Sequence, residues 1–198
     1  MEQPAGRGRI LTIPNFITFA RLLGVPVFLY LLFGAHQEVA AAIVLGVGGT
    51  SDWVDGFLAR RLGQVSRLGE LLDPLADRLY IIATLIALSI RDVLPWWFTI
   101  ALLAREAFLA VTLLVLRRNG YGPPPVHYLG KAATFLVLIA LPMLLLASAA
   151  PVTHGWAFPI GWAMAWWGLV LYWIAGGLYV FQAAGALREA RGAREAAL

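Results

Sequence analysis

The hydrophobic positions of this chain fall into six long stretches, and most polar positions gather between them. A helix that crosses roughly 30 Å of hydrocarbon needs about 20 mostly apolar residues. Stretches of that kind run from about residue 16 to 35, 38 to 62, 70 to 90, 95 to 116, 128 to 149 and 156 to 187. Each predicts a membrane-spanning helix, and together they are too long and too uniformly apolar for a soluble core. Arg21 interrupts the first, and no small-residue cleavage site follows it, so it reads as a span rather than a signal peptide. Residues 1–9 and 188–198 read as short polar tails. With no separate soluble domain or low-complexity segment, residues 1–198 are expected to form one membrane-embedded, all-α domain.

Composition agrees. The chain is 61% hydrophobic and 13% charged, with a mean hydropathy of +0.78; a soluble domain carries about 25% charged residues. The absence of cysteine excludes disulfides, thiol catalysis and Cys-ligated metal sites. A net charge of +4 would suit a nucleic-acid binder in a soluble chain. Here it is assigned to contacts with anionic lipid headgroups, and no nucleic-acid partner is expected.

The basic residues then set the orientation. Arg7 and Arg9 precede the first span, and Arg60, Arg61 and Arg67 lie between the second and third. Arg117, Arg118 and Lys131 flank the loop between the fourth and fifth, and Arg188, Arg191 and Arg194 follow the sixth. The opposite loops carry only Glu38, the neighbours Arg91 and Asp92, and His154. The positive-inside rule therefore predicts both termini on the cytoplasmic side, with Trp96, Trp97, Trp156 and Trp162 in the outer aromatic belt.

Ionisable groups inside spans are costly and mark function by default. Those here are Arg21, Asp52, Asp55, Asp73, Asp77, Arg78, Arg105 and Glu106. Asp52 and Asp55 are three apart, followed at helical steps by Gly56 and Ala59; Gly69, Asp73 and Asp77 are each four apart. Each set forms one stripe on a helix. Two antiparallel helices facing along these stripes would bring four carboxylates together, and their repulsion would demand cations. Hard oxygen donors suit Mg²⁺, Mn²⁺ or Ca²⁺ better than zinc or copper. Arg60 and Arg61 stand where a phosphate can be held. Asp52 precedes Arg60 by eight residues, about 12 Å of helix, so the site is expected just below the cytoplasmic interface. Mere neutralisation of neighbouring arginines would explain one such pair, but not four aspartates in this pattern. Pro74 is either the first residue of a helix starting at Asp73 or a kink between Asp73 and Asp77, and the spacing leaves both open.

The run DWVDGFLARRLGQVSRLGELLDPLAD, residues 52–77, resembles the signature D-x2-D-G-x2-A-R-x8-G-x3-D-x3-D of the CDP-alcohol phosphatidyltransferase family. Asp52, Asp55, Gly56, Ala59, Arg60, Gly69, Asp73 and Asp77 fill every fixed position. The resemblance implies a cytidine diphosphate donor, displacement of CMP by an acceptor hydroxyl, and two divalent ions, Mg²⁺ or Mn²⁺. By position, Asp52, Asp55 and Asp73 would be metal ligands, and Asp77 the general base with or without ligation. Gly56, Ala59 and Arg60, with Asp52, would receive the cytidine diphosphate, and Gly69 would keep the helices close. A homodimer is implied as well.

The run LLDPLADR, residues 71–78, resembles the glycerophospholipid synthases of the family, and with the short chain the resemblance implies CDP-diacylglycerol as donor. RILTIPNFITFAR, SIRDVLPWW and the Arg105–Glu106 pair resemble the branch that makes cardiolipin from phosphatidylglycerol. Glycerol 3-phosphate, giving phosphatidylglycerophosphate, is the first alternative acceptor, with inositol phosphate and serine as further candidates. Arg105, Lys131, Arg117 and Arg118 are the candidates for holding an acceptor phosphate. Arg105 and Glu106 are expected to have separate roles, because adjacent helix residues do not face each other. Lys131 is equally a ligand or an interfacial anchor, and Arg117 and Arg118 suit ordinary cytoplasmic-side charges. Arg21, with Asn15 and Thr18, is a weaker candidate for supporting the cytidine pocket, and His127 and His154 read as interfacial. An ion-coupled transporter is the reading from another class; it would favour midplane sites and internal repeats, and neither is visible.

Overall fold

The computed structural model describes the backbone of residues 13–62, 67–118 and 128–195, and the side chains of residues 19–50, 78–118 and 128–185. Every regular element among them is helical. Helix α1 (Ile13–Leu29) runs into one π-helical turn, Tyr30–Gly34, and is followed by α2 (Glu38–Leu62), α3 (Arg67–Ile90), α4 (Trp96–Arg118), α5 (Tyr128–Ala149) and α6 (Pro151–Glu195). Among the described residues, three stretches are long and apolar enough to cross a membrane: Trp96–Arg118, Tyr128–Ala149 and Pro151–Gly185. Shorter apolar helical stretches are Phe19–Gly34, Glu38–Thr50 and Arg78–Ile90.

Each of the six apolar runs is thus a helix, with corrections at the ends. α6 starts at Pro151 rather than 156 and continues to Glu195, so residues 188–195 are not an irregular tail. Pro151 suits a first helical position because its missing N–H would have no partner there. The far end is carried by alanine and long straight side chains, which lose little on entering a helix. Pro74 lies inside α3, which begins at Arg67, so it does not start that helix.

The chain divides into two compact units, residues 1–94 with 138–161, and residues 95–137 with 162–198. In the first, α1 packs on α2 and α3 around Phe28, Leu32, Leu45, Leu85 and Leu88, all fully buried. The two turns of this unit at residues 35–37 and 91–95 hold the left-handed residues His36 and Asp92. They are joined by an ion pair between Arg91 and Glu38. Ala150 alone separates α5 from α6. The Thr153 hydroxyl donates to the carbonyls of Leu146 and Ala150 at 2.8 and 2.7 Å, and His154 Nδ1 sits 3.1 Å from the Ala147 oxygen. These contacts satisfy carbonyls that the end of α5 would otherwise leave open. In the second unit, Phe98, Leu102, Ala133, Val137, Leu169 and Tyr172 are buried. Large apolar side chains such as Leu23, Trp97, Trp167 and Phe181 remain exposed, as suits helices meeting lipid rather than water.

Gly168 of α6 marks the tightest approach within the second unit. A Cβ there would fall 2.7 Å from Val137 Cγ2 and 3.3 Å from the Val137 backbone nitrogen. Valine has almost no rotameric freedom in a helix with which to yield. We expect Gly168→Ala to cost about 1–3 kcal/mol, seen as a lower thermal unfolding midpoint in detergent. Gly177→Ala, where the added carbon meets nothing within 4 Å, should not lower it.

Candidate active site

The fold sets the relation between the two aspartate stripes through the register of α2 against α3. In an antiparallel helix pair, the residue numbers of level positions add to a constant. The Arg91–Glu38 ion pair gives 129 and the contact of Tyr80 with Gly48 gives 128. The hydroxyl of the same Tyr80, on the Leu45 carbonyl, gives 125, so these long side chains fix the register to within about one turn. On this register the positions level with Asp52 fall within 73–77 and those level with Asp55 within 70–74. The backbone positions of Asp73 and Asp77 thus fall within about one turn of those level with Asp52 and Asp55. All four positions, with Gly56, Ala59, Arg60 and Gly69, lie on helical backbone. Their side chains lie outside the described residues, as does His127.

Four carboxylates on neighbouring turns of two helices would form a hard, all-oxygen donor set. By chemistry they fit divalent cations that prefer oxygen, Mg²⁺ or Mn²⁺. Among the described residues, no group of three or more metal-ligating side chains comes together.

The register is held by a side chain that the apolar pattern of α3 conceals. Tyr80, 5% exposed, donates its hydroxyl hydrogen to the backbone carbonyl of Leu45 in α2. The ring occupies the space that a side chain at residue 48 would take: a Cβ there would lie 2.8 Å from Oη. A tyrosine in a span next to a Gly-Gly pair was the available signal for this contact. Arg21 is buried in α1, close enough to Tyr80 for its charge to be felt there.

The candidates for acceptor binding all belong to the second unit. Arg105 is 9% exposed, and its guanidinium lies 4.0 Å over the centre of the Tyr172 ring. Its Nε donates to the Tyr172 carbonyl at 3.3 Å, and Nη1 donates to Glu106 Oε1 at 2.7 Å. The expectation of separate roles for Arg105 and Glu106 is therefore corrected. Neighbouring Cβ atoms diverge by about 100° on a helix, but an arginine side chain is long enough to fold back across that angle. Tyr172 continues the network to α5, where its hydroxyl meets Thr134 Oγ1 at 3.3 Å. Lys131 is exposed, with Nζ 5.9 Å from the Tyr128 ring centre. Arg117 and Arg118 are exposed in the last turn of α4, where the helix dipole favours positive charge. His154, stacked on Phe158 at 4.9 Å, is occupied in the α5–α6 turn.

Comparison with known proteins agrees with the motif. The family described as CDP-alcohol phosphatidyltransferase matches residues 11–174. The chain is 54% identical over 179 residues, 88% of its length and 83% of the relative's, to a protein of Streptomyces coelicolor named cardiolipin synthase (CMP-forming). It is 36% identical over 152 residues, 69% of its length and 78% of the relative's, to the CDP-diacylglycerol–glycerol-3-phosphate 3-phosphatidyltransferase of Bacillus subtilis.

Proposed function

Because the chain belongs to the CDP-alcohol phosphatidyltransferase family, we propose that it makes cardiolipin, transferring the phosphatidyl group of CDP-diacylglycerol to a hydroxyl of phosphatidylglycerol with release of CMP. It is a membrane-embedded transferase of phospholipid synthesis, and the transporter reading falls away with the family. The observation that carries the choice of acceptor is the 54% identity, over 88% of the chain, to a CMP-forming cardiolipin synthase. Glycerol 3-phosphate is the second reading, favoured by the 36% identity to an enzyme named for that acceptor.

In this reading Asp52, Asp55 and Asp73 hold two divalent cations, with Asp77 one turn beyond Asp73 on α3. Bound there, the cations neutralise the diphosphate and make CMP a better leaving group. Gly56 and Ala59 leave room beside α2 for the cytidine diphosphate, Gly69 keeps α3 close, and Arg60 pairs with the phosphates. Asp77 takes the proton of the acceptor hydroxyl as its oxygen bonds to the lipid-bearing phosphorus and the phosphoanhydride bond to CMP breaks. A carboxylate that also ligated a cation would be a weaker base, so proton transfer is assigned to Asp77 and ligation mainly to the other three. Arg105, with Lys131, Arg117 and Arg118 as further basic groups, is assigned to the acceptor phosphate. We place the site at the cytoplasmic edge of a six-span protein with both termini inside, in a homodimer.

The deciding experiment supplies purified protein with CDP-diacylglycerol and Mn²⁺ or Mg²⁺ and offers each acceptor in turn. CMP release is expected with phosphatidylglycerol. Release with glycerol 3-phosphate alone would replace the cardiolipin assignment with the phosphatidylglycerophosphate one.

A further inference from the structure

The Tyr80 ring lies against Gly48, one turn before Asp52, and its hydroxyl joins the α2 backbone at Leu45, seven residues before Asp52, about 10.5 Å of helix. Tyr80 follows Asp77 by three residues and Gly48 precedes Asp52 by four, or about 4.5 and 6 Å of helix. The other described link between α2 and α3, the Arg91–Glu38 ion pair, is fourteen residues from Asp77 and from Asp52, about 21 Å away. That pair is also part-exposed, where ion pairs hold position weakly. Tyr80 is the opposite case. Its hydroxyl is buried, and burying it without a partner is costly. Sliding α3 by one residue, about 1.5 Å, would take the hydroxyl away from Leu45 and drive the ring into α2 beside Gly48. Metal sites tolerate shifts in ligand distance of only about 0.2 Å. A lock of this kind next to the ligands therefore matters more than one at the far end.

We propose that Tyr80 is a positioning residue for the metal site: its hydroxyl on the Leu45 carbonyl fixes the height of α3 against α2, and with it the spacing of Asp52 and Asp55 from Asp73 and Asp77. This rests on the reading of those aspartates as metal ligands. Gly48 is the other half of the lock, because only a residue without a side chain admits the phenol.

The test uses full-length protein in detergent, with Mn²⁺ binding followed by electron paramagnetic resonance and unfolding followed in EDTA. Tyr80→Phe removes the hydroxyl and keeps the ring, whereas Gly48→Ala keeps Tyr80 and pushes it aside. Both should weaken Mn²⁺ binding about tenfold, the scale of one buried hydrogen bond, in protein that still unfolds cooperatively without metal. Unchanged Mn²⁺ affinity in the two variants, even with lower stability or activity, would reduce Tyr80 to a packing residue and overturn the proposal. Wild-type protein that binds no Mn²⁺ would overturn it together with the metal reading. Wild-type protein that binds Mn²⁺ but releases no CMP with any acceptor, while the variants bind it more weakly, would overturn only the assigned reaction and support the lock.

Discussion

Asp77→Asn should lower kcat by roughly a hundredfold to ten-thousandfold, the range that a positioned general base contributes, while CDP-diacylglycerol still binds. Asparagine keeps the size and one acceptor oxygen but cannot take a proton. Asp73→Asn should also abolish turnover, but by a different route. It removes a charged ligand from the set of four, so its loss should be partly restored by raising Mn²⁺, whereas that of Asp77→Asn should not. Turnover at several Mn²⁺ concentrations separates the two. Activity surviving either substitution would contradict the site assignment, and equal rescue of both by Mn²⁺ would make Asp77 a ligand rather than the base.

Arg105→Ala carries the second large effect. A hydrogen bond to a charged group contributes about 1.5–3 kcal/mol, so the acceptor KM should rise about ten- to a hundredfold with the KM for CDP-diacylglycerol little changed. The same change leaves the Glu106 carboxylate without its 2.7 Å partner and uncovers the Tyr172 ring. Some loss of stability is therefore expected too, and the unfolding midpoint must be read beside the kinetics. Glu106→Gln separates the contributions, since it loosens Arg105 without removing it and should raise the acceptor KM by less. A fall in stability with both KM values unmoved would make Arg105 a strut between α4 and α6 and nothing more.

The helices and the motif were legible in the sequence for the same reason. Each is a one-dimensional pattern: apolar runs of bilayer length, and aspartates at three- and four-residue steps that a helix turns into stripes. What the spacing could not convey is where long side chains end. Arg91 reads only as a loop charge, yet its guanidinium crosses to Glu38, 53 positions away. Arg105 reads as independent of Glu106, yet folds back onto it. Tyr80 looks like one more bulky residue in an apolar run until its hydroxyl is found on the backbone of another helix. Past residue 187 the charged positions read as a polar tail, yet α6 continues through them because alanine and arginine are strong helix formers.

That extension gives α6 its 45 residues, about 68 Å against roughly 30 Å of hydrocarbon. Arg188, Arg191 and Arg194 recur every third residue on its final turns, within an arc of about 120°. On a flexible tail their charge would be spread through a wide volume of water. On a helix it follows the apolar stretch that ends at Gly185 at about 1.5 Å of rise per residue. Anionic lipids are drawn to such a basic segment by about 1 kcal/mol per residue. A product carrying two phosphates, as the proposed reaction makes, would be the strongest counter-ion for it. The enzyme would then gather its own product around itself, and the local lipid composition would record how active it has been.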